Sequence, residues 1–155
     1  MELTPEWEYV ADTVMGGIST GEVRQELVAG RQAAHLTGHV SLENSGGFIQ
    51  MAFDLTQGDV MDASAWQGIE IEARGLGTGY EMRLRTDQLE RPWQSFRAAF
   101  DVADDWQTLR LPWRNFEARK TDKTLDPARL RRIGILAYGQ EMQADIAVSA
   151  IRLFG

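Results

Sequence analysis

Gly68-Ile69-Glu70-Ile71-Glu72-Ala73-Arg74 turns Ile69, Ile71 and Ala73 to one side of an extended chain and Glu70, Glu72 and Arg74 to the other. Alternation with a period of two is the mark of a half-buried strand. Tyr80-Glu81-Met82-Arg83-Leu84-Arg85-Thr86 repeats it, with Tyr80, Met82 and Leu84 on one face and Glu81, Arg83 and Arg85 on the other. Phe96, Ala98 and Phe100 share a face, as do Leu109 and Leu111.

Working outward, strands are expected at Glu8–Asp12, Glu22–Leu27, Ala33–Leu42, Gly47–Leu55, Arg132–Tyr138 and Ala144–Phe154. In the last, Ile146 and Val148 fall out of phase with Ile151 and Leu153, which a bulge near Ser149-Ala150 would repair. Val28-Ala29-Gly30-Arg31 reads as a hairpin turn. Helical signal is confined to Asp126-Pro127, an N-cap with proline at the first helical position, good for one turn or two. Many short strands joined by turns, without crossover helices, predict an all-β antiparallel sandwich, with residues 1–155 as one domain.

The 155-residue chain has no cysteine, which excludes disulfides, thiolate metal sites and a cysteine nucleophile. A net charge of −7 argues against nonspecific binding to nucleic acid and to anionic membrane surfaces. Met1 to Glu6 carries neither a basic start nor an apolar run, and no apolar stretch approaches the ~20 residues of a membrane helix. A cytoplasmic protein with no membrane insertion is the expectation.

Three clusters could carry function. Asp12 to Ser19, with Met15 and Gly16-Gly17, and Asn44 to Phe48, with Gly46-Gly47, combine paired glycines with polar side chains able to bond their own loops. Both could be turn chemistry alone, or the loops could meet and shape a site with Asp12, Ser19 and Asn44. Arg83 and Arg85, about 6–7 Å apart on one strand face, suit a carboxylate, phosphate or hydroxyl array, or a solvated face paired with Glu70 and Glu72. Of Trp66, Trp93, Trp106 and Trp113, Trp93 follows Arg91-Pro92 in a loop and is expected to be partly exposed; the others suit packing.

Catalytic arrangements are poor. His35 and His39 would lie about 13 Å apart on one strand, too far for joint ligation. Gly75-Leu76-Gly77-Thr78-Gly79 lacks the helix a phosphate loop needs and reads as a turn. Acidic loop residues such as Asp59, Asp62, Asp104 and Asp105 lack EF-hand spacing. No cofactor is expected.

The run Asp12 to Ser19, with Gly38 to Phe48 and its Asn44-Ser45-Gly46-Gly47-Phe48 core, resembles the complex I intermediate-associated protein family. Gly68-Ile69, Leu84-Arg85-Thr86, Leu111-Pro112-Trp113, Ile133-Gly134-Ile135 and Asp145-Ile146 fit as well, so the similarity runs from Trp7 to Ile151. It implies a galactose-binding-like jelly roll and, for mitochondrial members, assembly of the respiratory NADH:ubiquinone oxidoreductase.

Two functional readings follow. One is a non-catalytic protein-interaction or assembly module, its partner a respiratory-complex subunit as the resemblance implies, gripping through Trp93, Arg83 and Arg85. The other is a carbohydrate or small-ligand jelly roll, using the loops Asp12–Ser19 and Asn44–Phe48 or the arginine face. A hydrolase ranks third, since no nucleophile and base are visibly paired.

Overall fold

The computed structural model describes residues 1–155, apart from the side chain of Ser45. Eleven strands form two antiparallel sheets. They are β1 (Glu8–Ala11), β2 (Thr20–Val28), β3 (Arg31–Val40), β4 (Phe48–Asp54), β5 (Gly68–Leu76), β6 (Tyr80–Thr86), β7 (Ser95–Phe100), β8 (Gln107–Pro112), β9 (Glu117–Arg119), β10 (Leu130–Tyr138) and β11 (Met142–Phe154). One sheet runs β1-β4-β10-β6-β7-β9 and the other β2-β3-β11-β5-β8, giving a jelly-roll sandwich.

Period two decides what lies between the sheets. Ile49, Met51 and Phe53 of β4, Ile133 and Ile135 of β10, and Met82 and Leu84 of β6 point inward and are buried. They meet Leu36 of β3, Ile69 and Ile71 of β5, and Ile146 and Leu153 of β11. Each such aliphatic side chain contributes about 1.5–3 kcal/mol on full burial. Tyr80 joins this core through its ring and spends its hydroxyl on backbone, donating to the Leu76 carbonyl at 2.5 Å and accepting from Asp145 N–H at 2.9 Å.

The pairing of β11 with β5 shifts register between Val148 and Ala150, the bulge that brings Ile151 and Leu153 back to the core. Ala29 (φ 45°) and Gly30 (φ 84°) make the left-handed hairpin turn between β2 and β3. Asp126 caps its turn by accepting from Ala128 N–H, but only Pro127–Arg129 is helical, as a single 3-10 turn, because β10 begins at Leu130. β9 was not foreseen: three residues are too short for alternation to register, and Glu117–Arg119 is recruited by pairing with β7.

The sheets also correct one expectation. β6 pairs with β10 and β7, not with β5, so Arg83 and Arg85 lie on one outer face and Glu70 and Glu72 on the other. Glu70 and Glu72 instead bind Arg110, Arg31 and Arg152.

Candidate functional site

Outward residues of the six-stranded sheet build a cleft of about 650 Å³, within the size range of ligand sites. Alternation turns Phe48, Gln50 and Ala52 of β4, Gly134, Leu136 and Tyr138 of β10, and Arg83 and Arg85 of β6 away from the core. Register sets Leu136 between Gln50 and Glu81, and Gly134 between Ala52 and Arg83. A Cβ at Gly134 would stand 2.4 Å from Gln50 Oε1, so only glycine lets that amide lie across the floor.

The two ends of the cleft are loops. At one end stand Val14 and Met15 of the 3-10 turn Asp12–Met15, with Gly46 and Gly47 beside them. At the other stand Pro92, Trp93 and Gln94 of the β6–β7 connection. Val14 is 75% exposed, Met15 57% and Trp93 60%, so three large apolar side chains are offered to solvent around one trough.

Arginines dominate its electrostatics. Arg83 donates Nε–H to Glu81 at 2.7 Å and lies over the Tyr138 ring at 4.5 Å. Arg85 donates to the carbonyls of Arg91, Pro92 and Gln94, pinning the Trp93 loop. Burial, then repulsion from Arg132 and Arg131, lowers the affinity of Arg85 for its proton. Arg119 donates to the Tyr138 hydroxyl at 2.9 Å, and that bond, outweighing burial and helped by the charges of Arg119 and Arg83, holds the Tyr138 phenol below its ordinary value. Arg132 bridges Asp54 and Glu8.

Behind the Met15 end lies Asp12, with no exposed surface. Its carboxylate accepts from Ser19 N–H at 3.1 Å, Ser19 Oγ–H at 2.5 Å, Gly47 N–H at 2.7 Å and Phe48 N–H at 3.3 Å. Burial pushes Asp12 up, but these four donors prevail and hold it below the usual carboxylate range. Cβ atoms at Gly17 and Gly46 would stand 2.4 and 2.5 Å from this carboxyl group, so both glycines are set by close approach. The two glycine loops therefore do meet, through Asp12.

Of the residues singled out from sequence, the cleft gathers Met15, Phe48, Arg83, Arg85 and Trp93. Asp12 and Ser19 are buried beneath its end, holding the loops rather than facing the trough. Asn44 is exposed on the Glu43–Ser45 turn, in the left-handed conformation (φ 55°), and does not line the cleft. The loop site and the arginine-face site, alternatives in the sequence, are two ends of one feature. Sequence reasoning missed Gln50, Ser95, Arg119, Arg132, Leu136 and Tyr138. The outward set of β10 was legible from Ile133 and Ile135 pointing inward; Arg119 was not, because β9 carries no signal of its own. Among the described residues no cluster of three His, Asp or Glu could hold a metal ion, and no helix is long and apolar enough to cross a membrane.

Comparisons with known proteins now bear on this geometry. The chain is similar in fold to the family 11 carbohydrate-binding module of cellulosomal cellulase Lic26A-Cel5E of Clostridium thermocellum, with a TM-score of 0.78 at 14% identity over 99% of this chain and 89% of that one. A family 11 module from the same organism in complex with a β-1,3-1,4-mixed-linked tetrasaccharide matches with a TM-score of 0.71 at 16% identity over 96% and 88%. The family 30 module of its cellulase Cel9D-Cel44B gives 0.67 at 16% over 99% and 95%. These likenesses establish the jelly-roll fold. Among curated proteins no relative matches. The model of the complex I intermediate-associated protein 30 (CIA30) family matches residues 1–148, and the chain belongs to that family.

Proposed function

We propose that this protein is a non-catalytic binding domain of assembly type, whose cleft holds a segment of a protein partner. Membership of the CIA30 family supports a role in respiratory complex I assembly, with a subunit or intermediate of that complex as the partner. The observation that carries the reading is the exposure of Val14, Met15 and Trp93 around one trough. Solvent-facing apolar side chains gathered at a concavity are the feature of a surface that another chain covers. Arg83, Arg85, Arg119 and Tyr138 add polar contacts that fix orientation.

The test is selection of displayed peptides on the intact chain. Peptides that bind, and whose binding Trp93→Ala weakens by about 1–3 kcal/mol without moving Tm, support the reading. Binders that ignore both Trp93→Ala and Met15→Asp would place the contact elsewhere.

A carbohydrate-binding reading stands second. It is favoured by the fold shared with modules that include one solved with a mixed-linked tetrasaccharide, and by Trp93 as an exposed ring for stacking. A Tm rise with that tetrasaccharide, lost in Trp93→Ala, together with no peptide binder, would make it the better account.

A further inference from the structure

Building on the docking reading, we infer that the segment held in the cleft is acidic, with a carboxylate seated against Arg83, Arg119 and Ser95. Among the described residues four arginines, Arg83, Arg85, Arg119 and Arg132, line the cleft, and no Asp or Glu does. This happens in a chain of net charge −7, so the cationic trough runs against the overall balance.

The arginines differ in how they are neutralised. Arg132 is held by Glu8 and Asp54, and Arg83 shares Glu81 with Arg97. The hydrogen bonds of Arg85 go to three carbonyls, and those of Arg119 to the Trp93 carbonyl and the Tyr138 hydroxyl. Those neutral acceptors leave two positive charges uncompensated by their own contacts.

Two donors are also unsatisfied. Arg83 Nη2 and Ser95 Oγ are buried with no hydrogen-bond partner among the described residues, and Ser95 is only 5% exposed. Ser95 lies opposite Arg119 in the β7–β9 pairing. Buried donors without acceptors are rare and costly. A carboxylate brings two acceptor oxygens and a negative charge, and meets guanidinium groups through short charge-assisted bonds. The lowered phenol of Tyr138 agrees, because the same field that stabilises a phenolate stabilises a bound carboxylate. Beyond roughly 8 Å the chain's net negative charge is screened, so the local arginines decide.

The decisive experiment is a random-peptide display selection on the immobilised full chain, followed by titration of the recovered peptides. Expected are Asp or Glu flanked by apolar residues, and about tenfold loss of affinity in Arg119→Gln or when the peptide's carboxylate becomes the amide. Raising salt from about 0.05 to 0.5 M should weaken the same peptides. Arg119→Gln is chosen because its partners are neutral, and an unchanged Tm certifies the fold; Ser95→Ala, which keeps every charge, is the second variant and should also weaken acidic peptides. Recovery of neutral or basic binders, indifferent to salt and to Arg119→Gln, would overturn the acidic-ligand inference while leaving the docking reading intact. Recovery of no peptide at all would remove the docking reading and this inference with it.

Discussion

The outer faces of the two sheets carry the same kinds of side chain and treat them differently. On the five-stranded sheet, Arg152 reaches Glu2, Glu70 and Glu72, Arg110 binds Glu70, and Arg31 binds Glu72. His35 on the same face stands between Glu26 and Asp145, 2.7 Å from each. Arg31, Arg110, Arg152 and His35 there each meet an acid, and Arg74 alone among the arginines of β5 and β11 rests on a carbonyl, that of Asp104. On the six-stranded sheet Arg83 and Arg132 also meet acids, but Arg85 and Arg119 lean only on carbonyls and a phenol, around an open trough. Charge closed on itself stabilises a fold modestly. Charge held by neutral acceptors keeps its capacity for a ligand. The difference arises from neighbours: β5 and β11 place Glu70 and Glu72 beside Arg152, whereas β6 and β10 place Arg83 beside Gly134 and Arg85 beside Arg132.

The comparison can be broken most severely at the join behind the cleft. Asp12→Ala strips four donors of their acceptor in a buried site and is expected to cost about 3–5 kcal/mol, read by urea denaturation. Wild-type stability should carry the same signature with pH. The folded-state value of Asp12 is depressed, so its contribution is present above the unfolded carboxylate range, near 3.8, and is lost as pH falls through the lower folded value. An Asp12→Ala variant as stable as wild type would show the loops to be held by something else.

The next largest effect lies on the closed face. Glu70 has a side chain only 10% exposed and two arginine partners. Glu70→Gln should cost about 1–2 kcal/mol, between the values for surface and buried pairs. Arg119→Gln on the open face should cost about 0.5 kcal/mol or less, since it gives up neutral acceptors only. Equal losses in the two variants, by the same denaturation, would erase the proposed distinction between the faces.

His35 sharpens the contrast through pH. Burial lowers its affinity for a proton, but hydrogen bonds to Asp145 and Glu26, with their charges, raise it above the ordinary value. A raised folded value means the stabilisation is complete below about pH 6.5 and fades as pH rises through the folded value. The stability gap between wild type and His35→Gln should therefore narrow in alkali, measured at several pH values; a gap that widens with pH would contradict the imidazolium assignment. Smallest for stability is Trp93→Ala, at about 0.5 kcal/mol or less given its exposure, a change calorimetry should barely register even though ligand affinity falls.

Alternation along β5, β6 and β7 determined the layers, the inward residues and the outward placement of Arg83 and Arg85, because side-chain direction in a strand is a local property of period two. The bulge near Ser149-Ala150 was equally legible, since a phase slip between Val148 and Ile151 has one cheap repair. Asp12, Ser19 and the glycine pairs were visible as loop chemistry. Which strands lie side by side was not written locally. Only the tertiary structure separated Arg83 from Glu70, set Tyr138 and Arg119 against each other, and joined the two glycine loops through one carboxylate. Pairing is decided by contacts far apart in sequence, such as β4 with β10, and no window of neighbouring residues contains both partners.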